Sequence, residues 1–580
     1  ADRVVRGDWQ GIDSDVCAEV VAQARANLEA YRVNPALLEE QVNIELAAAE
    51  GGYGRRQLYE LVQNGADALI DDSGGRVEVV LTRDAFYCAN QGEPIDVPGV
   101  RAILLSNVSQ KRGDEIGRFG LGFKSVLEVT DSPEFYSRSG SFAWNYERAR
   151  SEIGKVVDGF DPEAQAAPKL RLAWPVDPAE AFARDEELAA LAEWATTIVK
   201  LPFHTRDIAW LAEDVAAFPR EFLLFCRHVA KLVLDDRSGG QGGDDAESPA
   251  RREIGIEKLE KPRGFWRLVE GDEASVWTVF STVLEPTEAA KRDAGAMSKR
   301  ERIPIHWALP VAGRTGPGVL WAFFPTEYET TLSGIVNAPW KTNPDRKNLL
   351  EGPFNREVLG VVSGLVIDSL QKLKDSSDPG RLLDLIPARG DEARNWADRE
   401  LTNRFYQIAA DSPSVPDVSG VLRRPEDLSL HPDLRKPGEE GRALTQRLLA
   451  RWTEAAPSRD WCHPSVERRE RRPRVERLIK DGGGTLVGWP AWLEALVEPP
   501  TVAGSKAAIA IAAESLENGL VGRPQIDGAD IVLTSDGRLV PPDPKELFFA
   551  GDYEAEEDVD YVHPDLAGDP DARAALEQLG

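Results

Sequence analysis

The spacing of apolar residues predicts helices and strands in the N-terminal third of the chain. Two segments within residues 15–49 have apolar residues every three or four positions, which predicts two helices. A third helix follows in YELVQNGADAL, residues 59–69. Apolar and polar residues then alternate in RVEVVLTRDAFYCAN, residues 76–90, which predicts two short strands. SFAWNYE, KLRLAWPV and TTIVKLPF predict more strands, so we expect helices on one face of a mixed sheet, an α+β sandwich.

The pattern changes after residue 208. RSGGQGGDDAESPARRE, residues 237–253, has the composition of a flexible loop, and four strand-like segments and a helix follow it. Residues from 380 onward have mainly helical spacing, and ARAALEQLG ends the sequence within such a pattern, so we expect the natural protein to continue. The predicted divisions are a helical extension (1–49), an α/β sandwich (50–208), a smaller α/β domain (209–376) and a mainly helical region (380–580).

Three polar residues form a stripe along the helix at 59–69. Each α-helical residue turns about 100°, so Glu60, Asn64 and Asp67 fall within about 60° of one another. Two carboxylates and an amide on one face can hold a hydrated cation and activate a water molecule, with Glu60 taking the proton. Asn64 offers a neutral oxygen to Mg²⁺, which prefers oxygen ligands. The solvent-exposed side of an ordinary amphipathic helix explains the same residues, so the stripe alone leaves both interpretations open.

Two later segments favour a nucleotide site. CANQGEPI places Asn90 at a predicted strand end and Gly92 in the following turn, where a polar side chain can read the edge of a base. An ordinary turn is the alternative. EIGRFGLGFKSVL, residues 115–127, leads from glycines directly into a predicted helix, and glycines let backbone N–H groups approach phosphate. Lys124 adds a positive charge there, although the loop lacks the GK[ST] ending of a P-loop.

In this order, the three motifs resemble those of the GHKL ATPase superfamily, which includes gyrase B, the heat-shock chaperone of ninety kilodaltons, histidine kinases and MutL. ELVQNGADA resembles the N-box, NQGEPI the adenine-reading box and GRFGLGFKS the phosphate box. The amino-acid sequences of these motifs are most similar to those of the sacsin-type, chaperone-like branch. The resemblance covers about residues 50–130. It implies a Bergerat-type α/β sandwich that binds ATP and Mg²⁺, followed by a transducer-like α/β domain.

The resemblance also implies roles for individual residues. Glu60 is expected to be the general base, Asn64 to bind Mg²⁺, and Asp67 to support the nucleotide side of the pocket. Asn90 stands where many relatives have an adenine-binding Asp, and its amide oxygen can still accept a hydrogen bond from the exocyclic amine. The other expected nucleotide contacts are Gly92 under the base, Thr196 beside it, Gly117, Gly120, Leu121, Gly122, Phe123 and Lys124 around the phosphates, and Ser109 and Lys111 in a lid.

The resemblance further implies that the second α/β domain sends a basic residue to the γ-phosphate. NAPWKTNPDRKNLL, residues 337–350, is polar and basic between two apolar elements. Arg346 is the first candidate, because a guanidinium fork suits phosphate oxygens, and Lys341 is the second. A surface loop with ordinary ion pairs is the alternative. Nucleotide-dependent dimerisation is implied by the resemblance alone.

Composition narrows the range of partners. The formal net charge of −29 repels nucleic-acid phosphates and argues against a nucleic-acid partner, whereas the resemblance implies protein clients or partner proteins. VERRERRPRVERLIK, residues 466–480, alternates Arg with Glu, which favours a solvated helical face over a phosphate-binding strip. No apolar run approaches the roughly 20 residues that span a bilayer, so no membrane partner is expected. The four cysteines are scattered, which is typical of reduced, buried thiols in a cytoplasmic protein.

We therefore predict a slow, Mg²⁺-dependent ATPase in which the lid at 106–116 and the second domain close over ATP. A chaperone-like or client-remodelling role is expected first, and an ATP-gated role in a bacterial defence system is a related expectation. The presence of Glu60 favours hydrolysis over transfer of the phosphoryl group to histidine. One alternative is an ATP-sensing scaffold with negligible hydrolysis. A second is a nucleic-acid-remodelling ATPase like MutL, against which the acidic charge argues.

Overall fold

The computed structural model describes most of the chain and divides it into two compact units. The described residues are 8–48, 56–71, 74–104, 122–205, 207–239, 251–260, 264–295, 298, 300–312, 316–343, 346–456, 458–468, 470–543, 545–550 and 559–580. The first unit comprises Ala1–Arg314, Val319–Tyr328 and Gly334–Val358, and the second comprises Thr315–Gly318, Glu329–Ser333 and Leu359–Gly580. The predicted domain divisions near residues 49, 208 and 376 stay predictions.

Helices and strands alternate along the first unit. Its helices are α1 (Asp15–Val33), α2 (Ala36–Ala48), α3 (Gln57–Asp67), α4 (Val97–Leu104), α5 (Tyr146–Val156), α6 (Pro178–Arg184), α7 (Glu186–Ala192), α8 (Ala209–Ala216), α9 (Glu288–Asp293) and α10 (Pro353–Ser369), which begins here. Shorter 3-10 helices span Gly122–Glu128 and Arg220–Leu224.

Fourteen strands form one large mixed sheet. They are β1 (Gly75–Leu81), β2 (Ala85–Asn90), β3 (Glu134–Ser137), β4 (Phe142–Trp144), β5 (Ala173–Pro175), β6 (Thr197–Pro202), β7 (Val229–Asp236), β8 (Arg251–Lys258), β9 (Phe265–Glu270), β10 (Glu273–Leu284), β11 (Ile303–Pro310), β12 (Gly318–Trp321), β13 (Pro325–Thr330) and β14 (Ile335–Asn337). Their order in the sheet is β13-β12-β14-β11-β10-β9-β8-β7-β1-β2-β6-β3-β4-β5.

The pairing of β1, β2 and β6 sets the register of the sheet beside α3. β1 pairs antiparallel with β2 and parallel with β7. β2 also pairs antiparallel with β6, so Asn90 lies opposite Val77 on one side and opposite Thr197 on the other. Because a parallel pair needs a long connection, the local pattern of the sequence did not reveal that β7 joins the sheet beside β1.

Both faces of this sheet are covered. Val77 and Val79 of β1 are buried in the same apolar core as Leu61 of α3. Successive strand residues point to opposite faces, and Val80 lies in a separate core with Leu188 of α7. The expectation of helices on one face is therefore incomplete, since α7 supplies apolar residues to the second face.

Helix α3 is buried on its apolar side and partly buried on its polar side. Leu58, Leu61 and Val62 are almost fully buried, and each contributes about 1.5–3 kcal/mol by leaving water. Glu60 and Gln63 are only 1% and 0% exposed. Asn64 and Asp67 are half-buried, so the solvent-exposed amphipathic helix, which was the alternative for this stripe, does not describe its Glu60 end.

Helices predominate in the second unit. They are α11 (Trp396–Ala410), α12 (Gly438–Ala455), α13 (Arg472–Asp481), α14 (Trp489–Glu494), α15 (Val502–Glu517), α16 (Arg523–Ile526), α17 (Pro564–Ala567) and α18 (Pro570–Leu579). Its strands are β15 (Val415–Pro416), β16 (Leu422–Arg423), β17 (Ser429–Leu430), β18 (Thr485–Leu486), β19 (Val532–Leu533), β20 (Leu539–Val540), β21 (Leu547–Phe548) and β22 (Asp560–Tyr561). Tryptophans from α12 and α14, Trp452 and Trp492, stack in its core.

The expectation of a solvated helical face at residues 466–480 is wrong for two of its arginines. Arg471 has a side chain that is 1% exposed and pairs with Asp378 and Asp384. Arg472 is also buried and pairs with Glu467 at 2.7 Å. Both carboxylates on Arg471 come from a segment about ninety residues earlier, so the local alternation of charge did not reveal them.

Among the described residues, no helix is both long enough and apolar enough to cross a membrane. The prediction of buried free thiols is confirmed for Cys17, Cys88, Cys226 and Cys462. Burial raises the pKa of the Cys88 and Cys462 thiols to about 12, so both are protonated and unreactive near neutral pH.

Candidate functional site

A cavity of about 380 Å³ opens beside α3. Its apolar lining includes Leu61 of α3, Ile95 before α4, Phe123, Phe135 of β3 and Val199 of β6. A volume of this size lies in the range of small-molecule sites, and apolar walls suit a flat ring system. Polar groups reach the same cavity from α3, β2 and β6, and these groups decide what chemistry it can support.

The stripe on α3 meets the cavity through Asn64 and Asp67. The Asn64 Oδ1 is buried and accepts no hydrogen bond from any described residue. The Glu60 Oε2 is likewise buried without a hydrogen bond from the described part of the chain, whereas its Oε1 lies 2.8 Å from the Arg346 Nη2. Buried acceptors normally have donors, so acceptors left open beside a cavity fit a cation or water. Glu60 lies one turn before Asn64 on α3, and it does not itself line the cavity as described.

Asn90 and Gly92 connect the end of β2 to α3. The Asn90 Nδ2 donates to the Gln91 carbonyl at 2.8 Å, and Asn90 lines the cavity, so its Oδ1 is the group left for a ligand. Gly92 has a φ of +107°, and a Cβ there would lie 2.1 Å from the Ala68 carbonyl oxygen. Glycine is required because the backbone passes so close to the end of α3. The structure thus places Gly92 against α3, while its expected position under a base stays a prediction.

The two threonines at the start of β6 have different positions. Thr196, the residue predicted to contact adenine, is buried, and its backbone N–H donates to the Asn90 carbonyl at 2.9 Å. Thr197 lines the cavity opposite Asn90, with its Oγ1 3.3 Å from the Ser137 hydroxyl. Neighbouring strand residues face opposite sides, so the choice between them depends on the pairing register with β2. Sequence reasoning lacked that register and therefore missed Thr197.

Much of the predicted phosphate loop falls outside the described residues. This applies to Ser109, Lys111, Gly117, Gly120 and Leu121. The structure resumes at Gly122, where a 3-10 helix begins, and Phe123 of that helix lines the cavity. The predicted helix after the loop is therefore a 3-10 helix of seven residues.

Lys124 is a buried cation with no hydrogen-bond partner among the described residues. Burial lowers the pKa of its amine to about 8, and nearby Arg171 adds to this shift while Glu45 opposes it. The side chain is not part of the cavity lining as described. A buried ammonium without a partner destabilises the folded protein unless an anion binds beside it. The expected contact of Lys124 with phosphate stays a prediction.

We expect Lys124→Met to raise the melting temperature of the ligand-free protein by several degrees, because it removes a desolvated charge. The folded-state pKa lies below the ordinary value, so the unfolded chain binds more protons between pH 8 and about 10.5. The destabilisation by Lys124 is thus complete below pH 8 and fades as the pH rises. Thermal unfolding at pH 7.5 and 9.5 measures the difference in melting temperature between the variant and the wild type. A gap that widens at the higher pH contradicts this assignment.

The two basic candidates at residues 337–350 reach different partners. The Arg346 Nη2 lies 2.8 Å from Glu60 Oε1, and its Nη1 donates to Gln63 Oε1 at 3.3 Å. The Lys341 Nζ instead donates to Asp293 Oδ1 at 2.6 Å. The structure therefore brings Arg346 to the predicted base, whereas Lys341 is held in an ion pair with Asp293. No feature of the sequence around Lys341 indicated this pairing.

Further carboxylates beside the cavity were not predicted. Asp71, Glu93 and Asp96 line it together with Asp67, and the Asp96 Oδ1 accepts a hydrogen bond from the Gly99 N–H at 2.7 Å. So many negative charges repel a polyphosphate unless a cation accompanies it. Among the described residues, no group of three or more His, Cys, Asp or Glu side chains could hold a metal ion unaided. The open Asn64 Oδ1 fits a Mg²⁺ that keeps waters and takes its other ligands from phosphates.

Comparison with known proteins adds one sequence relative. No protein-family model matches the chain. Part of the chain is similar to human sacsin. The two are 29% identical over an alignment of 166 residues, and the match covers 23% of this chain and 4% of sacsin. The chain therefore spans only a small fraction of that relative's length.

The chain is also similar to a solved structure, a crystal structure of the N-terminal domain of a DNA repair protein. The match covers 57% of this chain and 98% of that domain, at 11% sequence identity and a TM-score of 0.28.

Proposed function

We propose that the first unit binds ATP with Mg²⁺ in the cavity beside α3 and hydrolyses it slowly, as a member of the GHKL ATPases. The observation that carries this proposal is the pair of buried, open acceptors on one stripe of α3, the Glu60 Oε2 and the Asn64 Oδ1, next to a cavity lined by Asn90 and Thr197. The motif order in the sequence and the similarity to sacsin support it.

The cavity offers separate groups to the base and to the phosphates of a nucleotide. The Asn90 Oδ1 can accept a hydrogen bond from the exocyclic amine of adenine, and the Thr197 hydroxyl can donate to a ring nitrogen. Ile95 and Val199 provide the apolar contact that a flat base needs. These assignments make adenine the base that the cavity suits.

Glu60 carries the proton in the proposed reaction. A water oxygen forms a bond to the γ-phosphorus, the bond from the γ-phosphorus to the bridging oxygen breaks, and the water proton moves to a Glu60 carboxylate oxygen. The products are ADP and inorganic phosphate. Asn64 would hold the Mg²⁺, which when bound would withdraw charge from the phosphate oxygens. Arg346 supplies the guanidinium that neutralises charge on the γ-phosphate oxygens.

The biological output follows from the same proposal. Hydrolysis would drive a conformational cycle that acts on a protein client or partner, in a chaperone-like role or within a bacterial defence system. The net charge of −29 disfavours a nucleic-acid substrate. Nucleotide-dependent dimerisation and a cytoplasmic location belong to this proposal as well.

A second candidate function is an ATP sensor with negligible turnover. The observation that favours it is the ion pair between Arg346 and Glu60, which occupies one oxygen of the proposed base. In this alternative the second unit would be the interaction module. Measured phosphate release separates the two candidates, because only the ATPase loses turnover when Glu60 is replaced.

Isothermal titration calorimetry with a non-hydrolysable ATP analogue tests nucleotide binding. We expect one site in the wild type with Mg²⁺, and at least about ten-fold weaker binding in Asn64→Ala, because a metal ligand is lost. Asn64→Asp keeps a ligand oxygen and should retain binding. Asn403→Ala, an exposed asparagine on α11, is the matched control and should bind like wild type. A well-folded wild type that gives no heat refutes the proposal.

A further inference from the structure

Arg346 contacts the proposed general base, Glu60, in a largely buried position. The Glu60 side chain is 1% exposed and the Arg346 side chain is 18% exposed, with Nη2 2.8 Å from Oε1. Because both side chains are largely shielded from solvent, the guanidinium covers the Oε1 side of the carboxylate. Glu60 Oε1 cannot then accept a hydrogen bond from a water molecule on that face, and accepting such a bond is the first requirement of a general base.

Gln63 holds the guanidinium from a second side. It is fully buried on α3, and its Oε1 accepts a hydrogen bond from the Arg346 Nη1 at 3.3 Å. Its Nε2 donates no hydrogen bond to any described residue. The only hydrogen bond of this buried amide that the structure shows is the one to Arg346, which makes Gln63 a positioning residue for the arginine.

Arg346 has a strained backbone in this arrangement. Its φ is +57°, a left-handed conformation that few residues other than glycine adopt. Such a conformation persists only where surrounding contacts maintain it, and here they include the contacts to Glu60 and Gln63. Arg56 adds a second cation, with its Nε 3.7 Å from Glu60 Oε1. Loss of Arg346 from the site would thus not leave the carboxylate without positive charge nearby.

We propose that Arg346, positioned by Gln63, forms an inhibitory clamp on Glu60 in the nucleotide-free protein, and that a triphosphate releases the clamp by competing for the guanidinium. This inference rests on the proposed ATP site. The Glu60 Oε1 is open to a water proton only after Arg346 has moved, so the occupied and empty sites differ in whether that oxygen is free. The clamp keeps the Glu60 Oε1 from acting on water until a γ-phosphate is present.

If the clamp exists, the effect of a Glu60 substitution on nucleotide affinity depends on whether Arg346 is present. Glu60→Gln removes the charge that holds Arg346, so the ATP analogue should bind about ten-fold more tightly, since the apparent affinity rises with the fraction of free arginine. ADP has no γ-phosphate and should show no such gain. In the Arg346→Met background the same substitution should change analogue affinity by less than about two-fold, which controls for the general loss of negative charge.

Gln63 gives a test with effects of opposite sign. Gln63→Leu loosens the hold on Arg346 and should tighten analogue binding relative to ADP. Gln63→Glu strengthens that hold with a second carboxylate and should weaken analogue binding relative to ADP. Simple structural damage lowers both affinities together. Lys347→Met, which alters a neighbouring cation that is 61% exposed, is the matched control and should leave the ratio unchanged.

Calorimetry with the ATP analogue and with ADP decides the outcome. If the wild type binds the analogue and the gain from Glu60→Gln disappears without Arg346, the clamp is supported. If the gain is the same with and without Arg346, the clamp is overturned while the ATP site stands. If the wild type binds neither nucleotide, the ATP site fails. A double-mutant cycle in urea unfolding of the nucleotide-free protein then still tests the ion pair, and additive effects of the two substitutions overturn it.

Discussion

Glu60→Gln is expected to lower the rate of phosphate release by at least about 100-fold while ATP remains bound, because the substitution removes the proton acceptor and keeps the shape of the side chain. Glu60 is buried on α3 beside Asn64, and its Oε2 has no hydrogen bond from the described residues. A glutamine there can still make polar contacts but cannot take a proton from water. The loss should therefore fall on turnover and not on affinity.

Single-turnover phosphate release, measured beside nucleotide binding on the same samples, checks this expectation. Glu257→Gln makes the same chemical change on β8 at a side chain that is 64% exposed, and it should behave like wild type. Equal and appreciable rates in Glu60→Gln and wild type would remove Glu60 from the role of base. Equal and negligible rates with retained binding would instead support the ATP sensor.

Arg471→Met is expected to destabilise the second unit by about 3 kcal/mol, because it leaves two carboxylates without their shared partner. The Arg471 guanidinium lies 2.6 Å from an oxygen of Asp378 and 2.6 Å from an oxygen of Asp384. Its hydrogen bonds are the main cause of the lowered pKa of Asp378. Both carboxylates are partly solvated, which places the effect at the lower end of the range for buried ion pairs.

Arg468→Met is the matched control for this substitution. Arg468 also pairs with Asp378, at 3.3 Å, but its side chain is 57% exposed, so its loss should cost less than about 1 kcal/mol. Urea unfolding of the full chain, followed by circular dichroism, should show an earlier transition for Arg471→Met alone. Similar decreases in the urea midpoint for the two variants would show that the buried Arg471 ion pairs stabilise the protein no more than the exposed Arg468 pair does.

Local patterns were sufficient to predict the elements around the candidate site. Alternation identified β1 and β2, helical spacing identified α3, and the order of three motifs placed Asn64 and Asn90 beside one cavity. These features depend on residues close together in sequence, where periodicity carries information about which side chains share a face.

Features that depend on distant pairing were not visible in the sequence. The parallel pairing of β1 with β7 joins segments about 150 residues apart, and the choice of Thr197 over Thr196 needs the register between β2 and β6. Ion pairs between residues far apart in the sequence cannot be predicted from local patterns either. Lys341 with Asp293 and Arg471 with Asp378 both look like ordinary surface charges until the fold brings their partners to them.

A crystal structure with a non-hydrolysable ATP analogue and Mg²⁺ tests the central claim most directly. We expect the adenine ring in the cavity beside α3 within hydrogen-bond reach of Asn90, a Mg²⁺ about 2.1 Å from the Asn64 Oδ1, and Arg346 withdrawn from Glu60 towards the phosphates. An analogue bound elsewhere, or one whose phosphates lie away from Glu60 and Asn64, would contradict it.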